Sequence, residues 1–413
     1  MPGVSSAARA KSRVIFVNRF GWPDISATSQ LLSDLTADLA AAGFTVEVLC
    51  SRTRYEGDGP PLAPLETHAG VTIRRLWSAR FGRARLAGRA IDYLSFYCSA
   101  MARLLIDLRA SDIVVAKTDP PLLSVLVAAA AAVRGASLVN WLQDLFPEVA
   151  ERLGDLPLPR PAHALLRSLR NWSLRRARFN VVLGERMRDE LIANGIAPAG
   201  IVVSPNWCDG AAIKALPASQ SVLRGGLGGA EFVVAYSGNL GRAHDYMTIA
   251  TAAELLVHES FLFVMIGGGT GMKSLRHWVE TRRLPNVRFL GYQPRETLGD
   301  SMAAADVHLV SLLPELEGLI VPSKLYGIMA AGRPVAFIGD TDGDVAGVLQ
   351  RCECGFAVKP GDAAALALRL RALAATPSER DRLGANARRA FERHFDRPAA
   401  LQRWVGLLSQ SGT

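Results

Sequence analysis

The chain has 413 residues, 49% of them hydrophobic, which excludes a disordered protein and exceeds what one ordinary core holds, so two domains are expected. The net charge of +9 excludes an acidic, self-solvating surface and leaves anionic partners open. Five cysteines at scattered positions, only Cys352 and Cys354 close together, argue against a disulfide framework and a zinc site and for reduced thiols in the cytosol.

Residues 1–13 are basic but lack an apolar stretch, so no export signal is expected. Residues 13–17 read as a strand, and leucines and alanines at helical spacing follow over 30–42 until Gly43 ends them. Ser26 or Thr28 is expected to cap that helix, leaving its N-terminus toward a ligand. Further strands are predicted at 45–50, 71–76, 112–116, 137–141 and 180–183, each followed by a helical pattern. This alternation implies a parallel sheet wrapped by helices. The longest apolar run, 122–133, is too short to span a bilayer.

Two segments of this half carry arginine without any acid. Residues 67–91 hold Arg74, Arg75, Arg80, Arg83, Arg85 and Arg89; residues 156–184 hold Arg160, Arg167, Arg170, Arg175, Arg176 and Arg178. Anionic lipid, a phosphorylated acceptor, nucleic acid or plain solvated surface all suit them. Nucleic acid ranks lowest because aromatics are not interleaved as stacking platforms. On a helix, Leu165, Leu166, Leu169 and Trp172 share one face and most of the arginines another, which fits a membrane-surface helix or a core helix equally.

The pattern breaks around 204–210, and a glycine-rich turn at 225–229 follows. A second set of strands is predicted at 232–236, 262–266, 287–290, 307–311, 334–338 and 355–358, then an amphipathic helix at 398–408 carrying Trp404. The expected organisation is one doubly wound domain over 1–208, a second over 209–395, and a final helix over 396–413 packing back on the first domain. Ligands of doubly wound sheets bind outside the carboxyl ends of the strands, so the cleft between two such domains is the expected site.

Loops at those strand ends carry the candidate chemistry. Asp119 follows one strand of the first domain, and Asp144 and Glu148 follow the next as acid candidates. In the second domain Gly238, Asn239, Gly241 and Arg242 form a tight turn whose backbone can approach a phosphate and whose guanidinium can chelate it. Gly268 permits close approach by a flat ring, and Tyr292 lies in a plausible base-contacting turn. His244 and His308 lack metal-ligand partners, and no metal is expected. The densest loop sets Glu317, Gly318, Leu319 and Ile320 before Ser323 and Lys324, at a predicted helix start where free N–H groups and a lysine attract anions. Diphosphate at one end and polyol at the other describe a nucleotide-sugar.

These motifs together resemble the GT-B glycosyltransferases of family 4, of the kind that build bacterial capsule, O-antigen and exopolysaccharide. The resemblance rests on Lys117 to Leu122, Asn140 to Glu148, Pro205 to Trp207, Ser237 to Gly241 and Pro322 through Pro334, and spans nearly the whole chain. It implies two Rossmann-like domains and a retaining, metal-independent transfer of a hexosyl or N-acetylhexosaminyl group. The donor would be a nucleotide-sugar and the acceptor lipid-linked, at the cytoplasmic face of the membrane. By the same resemblance Arg242 and Lys324 bind the diphosphate, Glu317 with the Gly318–Leu319 backbone holds sugar hydroxyls, and Asp144 faces the acceptor or the transferred sugar. Ser26, Thr28, Asp119 and Glu148 fall on the acceptor side. The glutamate that many members carry just before the Ala-Met-Ala segment is Gly327 here, so the ribose must be held otherwise. A sugar-nucleotide 2-epimerase, or a silent partner subunit of a polysaccharide assembly complex, shares this architecture.

Overall fold

The computed structural model describes residues 13–24, 26–55, 59–82, 86–229 and 232–411, so Arg83 and Arg85 lie outside the described residues. In the first half, β1 (Arg13–Val17), β2 (Thr45–Ser51), β3 (Leu65–His68), β4 (Val71–Leu76), β5 (Ile113–Ala116), β6 (Ser137–Trp141), β7 (Phe179–Val182) and β8 (Ile201–Val203) make one sheet. Its order is β3-β4-β2-β1-β5-β6-β7-β8. The second sheet contains β9 (Phe232–Asn239), β10 (Phe261–Gly268), β11 (Val287–Leu290), β12 (Val307–Ser311), β13 (Val335–Ile338) and β14 (Gly355–Val358), in the order β11-β10-β9-β12-β13-β14.

Both sheets are covered on two faces, which is why their strands are continuous apolar runs. Alternation along β1 shows this directly. Val14 and Phe16 join a core with the helix Ala27–Ala41 and Trp404, while Ile15 and Val17 join one with the helices Leu86–Asp107 and Leu123–Arg134.

The strand β3 was not legible because it is a short, polar, exposed edge. It pairs antiparallel with β4 through Ala69 and Gly70, both at positive φ, as a two-residue hairpin turn requires; the first sheet is therefore mixed, not purely parallel. The first helix begins at Ala27, three residues before its expected start, with Ser26 at its N-cap. Ser26 does not cap with its side chain: its hydroxyl donates to Ser29 Oγ at 2.9 Å, and Thr28 lies within the first turn.

The helix Arg160–Arg176 buries a different face from its apolar stripe. Its buried face is His163, Arg170, Ser173 and Leu174, whereas Leu165 and Leu169 of the apolar stripe point outward. Arg170, expected on a basic outer face, is buried because Glu148 pairs with it.

The chain leaves the first sheet through residues 204–229, and the returning segment runs beside it. The Cys208 N–H donates to the Phe395 carbonyl at 3.2 Å, and the Arg397 N–H donates to the Cys208 carbonyl at 3.1 Å. The helix Arg397–Ser411 then lies on the helix Ala27–Ala41, where Arg397 pairs with Asp38 at 2.7 Å and Asp34 at 3.2 Å. Trp404 packs 4.8 Å from the Trp141 ring, which stacks on Trp207 at 5.6 Å.

Candidate active site

A cavity of ≈ 530 Å³ opens between the two sheets, a size suited to a small-molecule site. Ser237, Gly238 and Asn239 reach it from the end of β9, and Ile320, Ser323 and Lys324 from the loop after β12. Ala27 and Gln30 of the first helix and Trp207 face them from the first domain. Ile213, Leu298, Met302 and Gly327 give the cleft an apolar end that the sequence motifs did not mark.

Lys324 begins the helix Lys324–Ala330 and points back at the end of β9. Its Nζ donates to the Tyr236 hydroxyl and, at 3.4 Å, to the Asn239 carbonyl, and lies 3.9 Å from the centroid of the Tyr236 ring. Burial alone brings its ammonium down to about 7. Glycine is required beside it. Gly238, Gly267 and Gly269 have φ near +119, +119 and +116, and a Cβ on Gly267 would fall 2.3 Å from the Gly238 carbonyl oxygen. These glycines continue the pairing of β9 with β10, so the two strands outrun their expected ends. Gly241 is likewise crowded: a Cβ there would lie 3.2 Å from the Asn239 amide nitrogen. A Cβ on Gly268 would lie 3.2 Å from the exposed Tyr292 ring, so those two form one shelf.

Asp144 comes across the cleft from the first domain and forms an antiparallel bridge with Ile320, while the Leu145 N–H donates to the Leu319 carbonyl at 3.0 Å. Burial raises the Asp144 carboxyl and a hydrogen bond from Thr118 opposes it; its Oδ1 has no partner among the described residues.

Other expected site residues are engaged elsewhere. Glu317 does not line the cleft. Its Oε1 accepts the Asp344 N–H at 2.7 Å, capping the helix Asp344–Cys352, and Gly343 leaves room for it. Burial pushes this carboxyl up to about 7, despite the hydrogen bond from Asp344. Gly318 and Leu319 turn toward the first domain: Gly318, at φ +75, would place a Cβ 3.1 Å from the Arg186 carbonyl oxygen. Asp344 in turn accepts the Glu185 N–H at 3.0 Å, capping the first-domain helix Glu185–Ala193. Arg242 reaches across to the first domain, donating to Asp155 and to the Leu153 carbonyl. The Asp119 carbonyl accepts the Arg19 N–H at 2.7 Å. Glu148, expected on the acceptor side, is engaged by an arginine of the same domain. It holds Arg170 through two bonds of 2.6 and 2.9 Å, supplying the buried guanidinium with its counter-ion.

Comparison with known proteins fits this geometry. Residues 28–207 match the glycosyl transferase 4-like domain and residues 224–390 match the glycosyl transferases group 1 domain. The probable glycosyltransferase WbjE of Pseudomonas aeruginosa is 26% identical over 294 residues, 70% of this chain and 72% of that protein. The putative colanic acid biosynthesis glycosyl transferase WcaI of Escherichia coli K12 is 28% identical over 153 residues, 36% of this chain and 38% of its own length. Among solved structures, Anabaena HepE in complex with UDP and glucose superposes with a TM-score of 0.71 at 18% identity, covering 97% of this chain and all of that one, a likeness of fold.

Proposed function

The chain belongs to the GT-B glycosyltransferases of family 4, and from that premise we propose that it transfers a sugar from a nucleotide-sugar to a lipid-linked acceptor, with retention, in bacterial surface polysaccharide synthesis. One observation carries the donor assignment: a half-buried ammonium at Lys324, without a carboxylate partner among the described residues, beside glycine-only backbone at the mouth of a nucleotide-sized cleft. Lys324 takes the charge of the departing diphosphate. Arg242 joins it only by leaving Asp155. The reading needs no divalent cation, so turnover continues in excess EDTA. Asp144, bridged to Ile320, faces the transferred sugar. Closing the cleft excludes water, which favours transfer over hydrolysis.

The acceptor side of the proposal rests on exposed apolar groups of the first domain. Trp77 and Phe81 are 66% and 68% exposed on a loop fixed to the helix Leu86–Asp107 by the Ala79 N–H to Ser95 and the Phe81 N–H to Asp92, and Leu94 of that helix is 63% exposed. Arg80 and Arg89 flank them, the mixture an anionic membrane surface attracts. Among the described residues no helix is long and apolar enough to cross a membrane, so contact is peripheral in this reading.

The test is a thermal-shift screen with UDP-, GDP- and dTDP-sugars, followed by incubation of the best donor with and without polyprenyl-diphosphate-linked sugar. The expected outcome is stabilisation by one nucleotide family and product only when acceptor is added. Conversion of donor alone to an epimer would replace the transferase reading by the epimerase one, and binding without turnover would favour a silent subunit.

A further inference from the structure

We infer that His244 is a further donor-contacting residue whose Nε2 accepts a hydrogen bond from a hydroxyl of the transferred sugar. The inference rests on the nucleotide-sugar reading above and adds to it a determinant of which sugar is held.

His244 lines the same cleft as Lys324, from the loop that leaves β9. Its Nδ1 lies 2.6 Å from the Ser311 carbonyl oxygen. A carbonyl only accepts, so Nδ1 carries the hydrogen and donates it. In the neutral ring Nε2 is then a bare lone pair. The ring is neutral at physiological pH, since burial and the nearby Lys324 bring it down to about 4 against the opposing Ser311 bond.

The imidazole is also held in place. The Asp245 N–H donates to Ser311 Oγ at 2.8 Å, and that hydroxyl donates to the Asp245 carbonyl at 3.1 Å. Tyr236 meets the ring edge-on at 6.3 Å. Among the described residues Nε2 has no hydrogen-bond partner. A fixed acceptor in a cleft calls for a ligand donor. Ionised phosphate oxygens have no hydrogen to give, and Lys324 is already their cation, so the partner is a hydroxyl.

Position favours the sugar over the ribose. The Ala243 carbonyl accepts the Leu313 N–H at 2.9 Å, which sets His244 beside the loop that runs to Ile320 and Asp144. Gly327, where the family's ribose-gripping glutamate is missing, lies instead among Ile213 and Met302.

His244→Asn tests this cleanly, because its amide retains a donor near Nδ1 and removes the acceptor at Nε2. The probes are the nucleotide-sugar giving the largest shift in the screen and its free nucleoside diphosphate, each titrated calorimetrically. The expected result is a roughly tenfold loss of affinity for the nucleotide-sugar, the scale of one hydrogen bond, with less than about a twofold change for the diphosphate. Equal loss for both ligands would move Nε2 to the ribose or the phosphates and overturn the assignment, as would no loss for either. His244→Gln, which restores an acceptor farther from the backbone, should recover part of the affinity; an unfolded His244→Asn protein is identified by its melting curve, and the Gln variant then decides alone. If no nucleotide-sugar binds wild type, the donor reading fails and the inference with it; if wild type binds and Lys324→Ala does not, the donor reading stands whatever His244 does.

Discussion

Lys324 rests its ammonium 3.9 Å from the centre of the Tyr236 ring, so this cation of the cleft waits on an aromatic face and has no carboxylate counter-ion among the described residues. A diphosphate supplies the missing charge and raises the amine's affinity for its proton. Below pH 7 the free lysine is already charged. Above it, binding must bring a proton in, so affinity for a nucleoside diphosphate falls up to about tenfold per pH unit from pH 7 toward 9. Calorimetry in buffers of differing ionisation heat should register proton uptake at pH 8, and Lys324→Ala should abolish both the uptake and the slope. A pH-independent affinity in wild type removes Lys324 from the phosphate site.

Glu317 and Asp344 predict a stability effect in a lower pH window. Burial raises Glu317 from 4.5 to about 7 and raises Asp344 as well. Between pH 4.5 and 7 the folded protein holds the Glu317 proton and the unfolded chain does not, so stability from this group falls as pH rises through that window and is flat above it. Glu317→Gln keeps an oxygen for the Asp344 N–H and should flatten that part of the curve. Glu317→Ala loses the cap and should cost about 1 kcal/mol at pH 7 in urea unfolding.

The buried Glu148–Arg170 pair is expected to matter for stability and not for chemistry. Glu148→Ala strands a buried guanidinium and should destabilise by about 3–5 kcal/mol. Glu148→Leu combined with Arg170→Met should recover most of that loss and restore transfer. If the double variant is stable yet inactive, Glu148 has an acceptor-side role after all.

Arg242 and Asp155 are both about half exposed, so their pair contributes little by itself, about 0–1 kcal/mol. If Arg242 moves to the diphosphate, Asp155→Ala frees it and should tighten nucleoside diphosphate binding up to about fivefold, while Arg242→Ala weakens it and removes the Asp155 effect. Weaker binding in Asp155→Ala would mean instead that the pair serves to hold the cleft closed.

Membrane contact separates two surfaces. Trp77→Ser with Phe81→Ser and Leu94→Ser should lower sedimentation with vesicles of anionic phospholipid without changing the melting temperature. Arg167→Gln with Arg175→Gln on the helix Arg160–Arg176 tests the outward leucine stripe separately. No change in either set leaves the first domain's arginines as ordinary surface.

The strands and the cleft were legible because buried parallel strands are unbroken apolar runs and because tight strand-end loops need glycine. Lys324 was legible for the same reason: a lysine in the first turn after such a loop has little choice of direction. Glu317 was not. A one-turn segment lets a side chain leave on either side, and what drew this one away is the N-terminus of a helix that begins 27 residues later. The Glu148 pairing was not legible because its partner is 22 residues distant, on a helix whose inward face is set by packing and not by its leucines. His244 was considered only as a metal ligand, since nothing in its spacing shows that Ser311 fixes its tautomer.

The placement of Trp404 has a consequence for how the chain is made. Trp141 and Trp207 are waiting partners for a side chain nearly two hundred residues downstream, and at about 5–20 residues per second the ribosome takes roughly 10–40 s to supply it. During that interval the first domain has an open apolar notch, which a chaperone or a neighbouring nascent chain can occupy. Losing the last helix should therefore lower the yield of soluble protein more than it lowers the activity of the molecules that do mature.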